Sequence, residues 1–159
     1  MEKYFKDFAE KIRTKEELIF FLEEIARARQ IIFKEKEMPL SKKVEGKVSG
    51  ELKNFIEKLE KEGVISGSRE RQSAFLEELE KELQSLPEIR LEIAFSPGDD
   101  FLNKISQWFE KELSQKIILD LTINPKVVGG AIIEYQGKWR DFSLAKEIDQ
   151  LILEKTSYA

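Results

Sequence analysis

Apolar positions recur through the first half of the chain at three- and four-residue intervals, the spacing that puts side chains on one face of an α-helix. Tyr4, Phe5, Phe8 and Ile12 form the first such row. Thr14 followed by Glu17 reads as a capping box that opens a second helix over about residues 15–33. Its apolar residues, Leu18, Ile19, Phe20, Phe21, Leu22, Ile25, Ile31 and Ile32, span too wide an arc for a helix packed on one side only. Cover on more than one side is therefore expected. From 34 to 50 the period lapses into KEKEMPLSKKVEGKVSG, a loop with room for one short helical turn. Helix resumes after Ser49, with Leu52, Phe55, Ile56 and Leu59 on one face and Gly63 as a left-handed stop. Ser68 caps a further helix that runs to Leu86 through Phe75, Leu76, Leu79 and Leu83.

Pro87 ends the helical period and an alternating one replaces it. Ile89, Leu91, Ile93 and Phe95 point one way while Glu88, Arg90 and Glu92 point the other, which predicts a strand. SPGDD then turns into a helix whose face is Phe101, Leu102, Ile105, Trp108, Phe109 and Leu113. Ile117, Leu119, Leu121 and Ile123 predict a second strand, broken by Asn124 and Pro125. Residues 127–135 read as a third, and Gln136–Gly137 as a two-residue hairpin into a short fourth around Trp139. Ser143 caps a last helix carrying Leu144, Ile148, Leu151 and Ile152. The predicted class is α+β. A helical bundle of about four helices over 1–86 precedes a small α/β domain over 87–159, of strand-helix-strand-strand-strand-helix order.

Composition narrows the function more than the fold. Thirty-one acids and 27 bases interleave along the 159 residues for a net charge of −4, so no basic face is dense enough to neutralise a row of phosphates, and nucleic acid is not an expected partner. There is no cysteine, hence no disulfide or thiolate metal site, a composition suited to a reducing cytoplasm. No apolar run reaches the roughly 18–20 residues of a membrane-spanning helix, and the opening MEKYFKDFAEK does not read as a signal peptide. Membrane association is expected only through partners. The chain also has no histidine, which removes the usual general base near neutral pH and the commonest zinc ligand.

The side-by-side glycines Gly129 and Gly130 interrupt the most β-like run of the chain. A strand position without Cβ allows close packing of a bulky group or a bulge, and Trp108 and Trp139 are candidate fillers. A phosphate cradle would need a further glycine, a lysine and a hydroxyl residue between strand and helix, and these are lacking. Asp99 and Asp100 admit two readings, a paired-carboxylate site or residues that complement a helix start. Asp141 is likewise either a turn residue or a carboxylate with chemistry to do. Arg69, Glu70 and Arg71 alternate in sign, as solvated helix entrances do.

Asn124, Pro125, Val127, Val128, Gly129, Gly130, Asp141 and Ser143 together resemble a motif of the δ subunit of F-type ATP synthases, the family of the oligomycin-sensitivity-conferring protein. Members place an acidic or amide residue and a proline before two apolar residues and a glycine pair, then a strand, a turn, and an aspartate and serine ahead of the closing helix. GKVSGELKNFIEKLEKEG, 46–63, is similar to the family's fifth helix and its approach. The chain departs from the pattern in two places. About four helices precede Pro87 where the family usually has six, and Phe142 stands where it commonly has glycine.

The resemblance implies a non-catalytic subunit of the peripheral stalk that needs no cofactor, cytoplasmic and held at the inner (plasma) membrane only as part of its complex. It implies two partners, amino-terminal segments of the α subunits for the helical module and carboxy-terminal helices of the b subunits for the α/β module. Phe5, Phe8, Phe55 and Leu59 are the expected head-binding face. Phe101, Ile105, Trp108 and Phe109 are the expected groove for a partner helix. A free-standing helical adaptor unrelated to the synthase is the other reading of the same amphipathic helices, and an enzyme using Asp99, Asp100 and Asp141 a third. Neighbouring coding regions separate the first two, since a δ subunit should sit beside the other synthase subunits.

Overall fold

Serine hydroxyls start two of the helices, because each accepts a backbone N–H that the first helical turn leaves without a partner. In the computed structural model, which describes residues 2–34, 38–65 and 67–144, Ser49 accepts from the Leu52 N–H and Ser68 from the Arg71 N–H. The described elements are α1 (Glu2–Ala9), α2 (Lys15–Lys34), α3 (Leu40–Lys43), α4 (Gly50–Lys61), α5 (Arg69–Gln84), β1 (Glu88–Ile93), α6 (Asp99–Leu113), β2 (Ile118–Ile123), a 3-10 turn (Pro125–Val127), β3 (Ala131–Tyr135) and β4 (Lys138–Asp141). The chain is α+β. It forms two compact units, one running to Leu86 without Arg13–Lys15, the other made of Arg13–Lys15 and the chain from Pro87 onward. The last helix expected after Ser143 falls on 145–159, outside the described residues.

In the helical unit the aromatic residues meet one another. Phe8 stacks on Phe55 at 4.5 Å between ring centroids and meets Phe21 edge-on at 5.0 Å, and Phe75 lies 6.3 Å from both Phe5 and Phe55. Around them pack Leu18, Ile25 and Ile32 of α2, Leu52, Ile56 and Leu59 of α4 and Leu76, Leu79 and Leu83 of α5, all buried. This corrects the expected head-binding face. Phe5, Phe8, Phe55 and Leu59 fill the interior, where removing their apolar surface from water stabilises the bundle, and they offer a partner almost nothing. The expected cover of α2 on more than one side is also incomplete, since Ile19, Phe20 and Phe33 are exposed.

Two charged side chains among the described residues of this unit, Glu24 and Lys43, are buried with the apolar ones. Glu24 of α2 accepts from both the N–H and the hydroxyl of Ser49, the residue that caps α4. Lys43 donates to Gln72 Oε1 at 2.9 Å, and Gln72 Nε2 donates to the Met38 and Gly67 carbonyls. Buried charge is tolerated only with such partners.

The second unit is a four-stranded sheet in the order β2-β1-β3-β4. β1 and β2 are parallel, with Leu91 opposite Leu121, and α6 supplies the crossover that parallel neighbours need. β3 runs antiparallel to β1 and to β4. Gln136 and Gly137, with φ of 50° and 72°, make the predicted hairpin turn, whose right-handed twist requires positive φ at both positions. Ile89, Leu119, Ile117 and Phe109 of α6 form the core, with Leu102, Ile105, Leu113, Leu121, Ile133 and Tyr135 packed against it. β1 ends at Ile93, so Phe95 lies beyond the strand and is exposed.

The opposite sheet face is charged and internally paired. Arg90 reaches Glu134 at 2.7 Å and Asp120 at 3.9 Å, and Lys15 reaches Glu88 at 2.8 Å and Asp120 at 3.0 Å. Next to Lys15, Thr14 pairs in parallel with Leu119, whose N–H donates to the Arg13 carbonyl at 2.8 Å. The hydrogen bonds to Glu88 and then Asp120 hold the Lys15 ammonium above the ordinary lysine value. A raised folded-state pKa contributes stability in full below the unfolded value of about 10.4, and the contribution is lost as pH rises through the folded value. Lys15→Met is therefore expected to lower the stability of this unit by a constant amount from about pH 6, where Glu88 and Asp120 are ionised, to about pH 10, with the gap to the parent chain closing above it, as read by urea unfolding at stepped pH.

Candidate functional site

Two of the three carboxylates that suggested chemistry are committed elsewhere, and the third, Asp100, is exposed in the first turn of α6. Asp99 accepts from Arg13 at 3.1 Å at the entrance of α6, whose cap position is Gly98, and Asp141 Oδ1 accepts from the Ser143 N–H at 2.8 Å, a turn contact. Among the described residues no group of three or more Asp and Glu is placed to hold a metal ion. What the molecule offers instead is apolar surface.

The motif residues come together as one knot. Asn124 Oδ1 accepts from the Lys126 N–H at 3.1 Å while its amide donates to Glu92 at 3.0 Å, and Pro125 opens the 3-10 turn, where its missing N–H costs nothing. Val127 is buried. Val128 follows with φ 63° and ψ −45°, and the Gly129 N–H donates across it to the Val127 carbonyl at 2.7 Å, so Val128 is the centre of a γ-turn of the rare, strained kind. A β-branched residue there stores about 1–3 kcal/mol.

The glycine pair faces residues 142–144. A Cβ on Gly129 would lie 2.8 Å from Leu144 Cδ1, and one on Gly130, whose φ is +76°, 2.2 Å from the Phe142 carbonyl oxygen. Leu144 N–H donates to the Gly129 carbonyl and Phe142 N–H to that of Ala131, both at 2.9 Å. Two expectations are corrected here. Residues 127–130 are a turn and a bend rather than the start of β3, because the backbone is bonded to itself and to 142–144 instead of along a ladder. The glycines are filled by Leu144 and the Phe142 backbone, and not by Trp108 or Trp139.

This knot carries exposed apolar side chains: Val128 at 60%, Phe142 at 57% and Leu144 at 48%. Of the groove expected on α6, Phe109 is buried in the core, Phe101 and Ile105 are half-buried, and Trp108 alone is half out at 50%, edge-on to Phe109. Phe101 is edge-on to Phe95 at 5.3 Å. These four therefore do not make one open groove.

On the helical unit, Ile19, Ala26 and Phe33 repeat every seven residues and so share one line along α2, all exposed, with Phe20 beside the first. Phe33, at 69% exposure, borders a groove of ≈ 480 Å³ lined also by Arg69, Glu70, Ser73, Ala74 and Glu77 of α5. The periodicity of α2 showed that these residues were apolar but not that this side would stay open. No helix among the described residues is long and apolar enough to cross a membrane.

A family model described as ATP synthase delta (OSCP) subunit matches residues 1–153. No curated protein matches the chain.

Proposed function

The chain belongs to the ATP synthase delta (OSCP) subunit family, peripheral-stalk components of a membrane-associated complex, and we propose that it is a non-catalytic stator linking the catalytic head to the b-subunit stalk. The observation that carries this is the match over 153 residues, which spans both compact units. In this role the helical unit takes amino-terminal segments of the α subunits and the second unit takes carboxy-terminal helices of the b subunits. The work is holding the head against rotor torque, so affinity and stiffness matter and no bond is made or broken. Membrane location follows from the complex alone.

The α2 line of Ile19, Ala26 and Phe33, with Phe20 at its edge, is the surface that supports head binding, since an amphipathic helix laid along it would cover side chains that are now wet. Titration of the full chain with an α-subunit amino-terminal peptide and a b-subunit carboxy-terminal peptide tests the reading. Binding at or below tens of micromolar is expected for both, roughly −6 kcal/mol or better. Absence of both at that concentration overturns it. Phe20→Asp and Phe33→Asp are each expected to weaken the α peptide about tenfold and to leave the b peptide unchanged, by loss of roughly 1.5 kcal/mol of apolar burial apiece.

A further inference from the structure

The strained turn at Val128 raises the question of why a β-branched side chain sits where glycine would cost nothing, in a stretch that already has glycines on its next two positions. Nothing inside the unit uses that side chain, because it points to water at 60% exposure. Phe142 and Leu144 are also exposed, held beside it by the backbone pairings with Ala131 and Gly129, and Leu144 lays one edge over Gly129. Three large apolar side chains are thus held exposed on two backbone segments that are hydrogen-bonded to each other.

The charges around the bend indicate what would cover it. Elsewhere in this unit Arg13, Lys15, Arg90 and Lys116 are in ion pairs, while Lys104 and Lys111 on α6 form none among the described residues. Lys126, two residues before Val128, and Arg140, two before Phe142, are exposed and, like Lys138, form no ion pair among the described residues. In a chain of net charge −4, Lys126 and Arg140 thus adjoin the exposed apolar side chains along the backbone. Strand addition at the neighbouring β4 edge is the weaker candidate, since that strand has four residues, two of them cations, features that keep edges unpaired.

We propose that Val128, Phe142 and Leu144, rimmed by Lys126 and Arg140, form a docking surface for an acidic amphipathic helix of a partner protein. The inference rests on the stator reading only in taking that partner to be a protein. Apolar residues of the helix would cover the bend and its carboxylates would meet the two cations, giving an affinity that falls with salt.

The test uses the full chain and a designed 20-residue helical peptide with Leu on one face and Glu on the other, beside a twin with Lys in place of Glu. Amide shifts in NMR titrations are expected to centre on 126–130 and 140–144 with the Glu peptide and to be absent with the Lys twin. Lys126→Glu with Arg140→Glu should weaken the Glu peptide about tenfold or more and restore binding of the Lys twin. Val128→Asn, which tolerates positive φ, should keep the unfolding midpoint and still weaken binding about fivefold. Equal binding of the two peptides, shifts centred elsewhere, or a charge-reversed variant that binds unchanged overturns the proposal. The stator reading is judged separately. If b-subunit segments bind this chain and the charge reversal has no effect, the docking surface fails and the stator stands; if the Glu peptide docks here and no synthase segment binds, the reverse holds.

Discussion

Gly130→Ala is expected to cost the second unit about 3–5 kcal/mol, while Gly129→Ala costs about 1 kcal/mol or less. The neighbouring glycines differ in what stands opposite them. At Gly130 the added Cβ would fall 2.2 Å from the Phe142 carbonyl oxygen, with the Phe142 carbonyl carbon and Ser143 Cα within 3.2 Å, all backbone. Backbone gives way only by breaking the pairings that fix it, here Phe142 N–H to Ala131 and Leu144 N–H to Gly129. The φ of +76° adds a further roughly 1–2 kcal/mol for any L side chain. At Gly129 the obstacle is Leu144 Cδ1, the far end of a half-exposed side chain that can rotate aside. Both tryptophans, Trp108 and Trp139, lie in this unit, so urea unfolding followed by tryptophan fluorescence reads it without interference from the helices. Equal costs for the two substitutions would mean that Phe142 does not lie over Gly130.

That contrast marks where sequence reading reaches its limit in this chain. The helices were legible because their signals are local: Ser49 and Ser68 donate no information beyond the next turn, and the spacing of Leu52, Phe55, Ile56 and Leu59 is a property of one helix. The alternation in β1 and β2 was legible for the same reason. The bend at 127–130 was not, because what decides it lies at 142–144, and Val-Val-Gly-Gly-Ala-Ile-Ile reads equally well as a strand until those partners are known. The pairing of Thr14 with Leu119 is a contact of the same kind, across more than a hundred residues. For the surfaces, the gap is one of principle. An amphipathic stripe gives the apolar face of a helix, but whether the chain or a partner covers it depends on how many helices are present. The aromatic residues expected to meet the head meet one another, while Ile19, Phe20 and Phe33 on the broad face of α2 remain open.

Phe8→Ala turns that distinction into a measurement. Its ring is 1% exposed, stacked on Phe55 at 4.5 Å and met edge-on by Phe21 at 5.0 Å, so it joins α1, α2 and α4 at a single point. Truncation removes the buried ring and leaves a cavity between three helices, a change worth about 3–5 kcal/mol, part of it from the lost ring-ring geometry. A helical unit of this size has little more than that to lose, so far-UV ellipticity should show it largely unfolded in mild urea where the parent chain is intact. Phe20→Ala, half exposed on α2, should instead shift the midpoint by no more than about 0.5–1 kcal/mol while weakening the α-subunit peptide. The two phenylalanines thus exchange roles relative to a reading in which Phe8 is a contact residue and Phe20 is covered. A Phe8→Ala chain that stays folded and loses the peptide would place its ring on the surface and remove the aromatic cluster as the centre of the bundle.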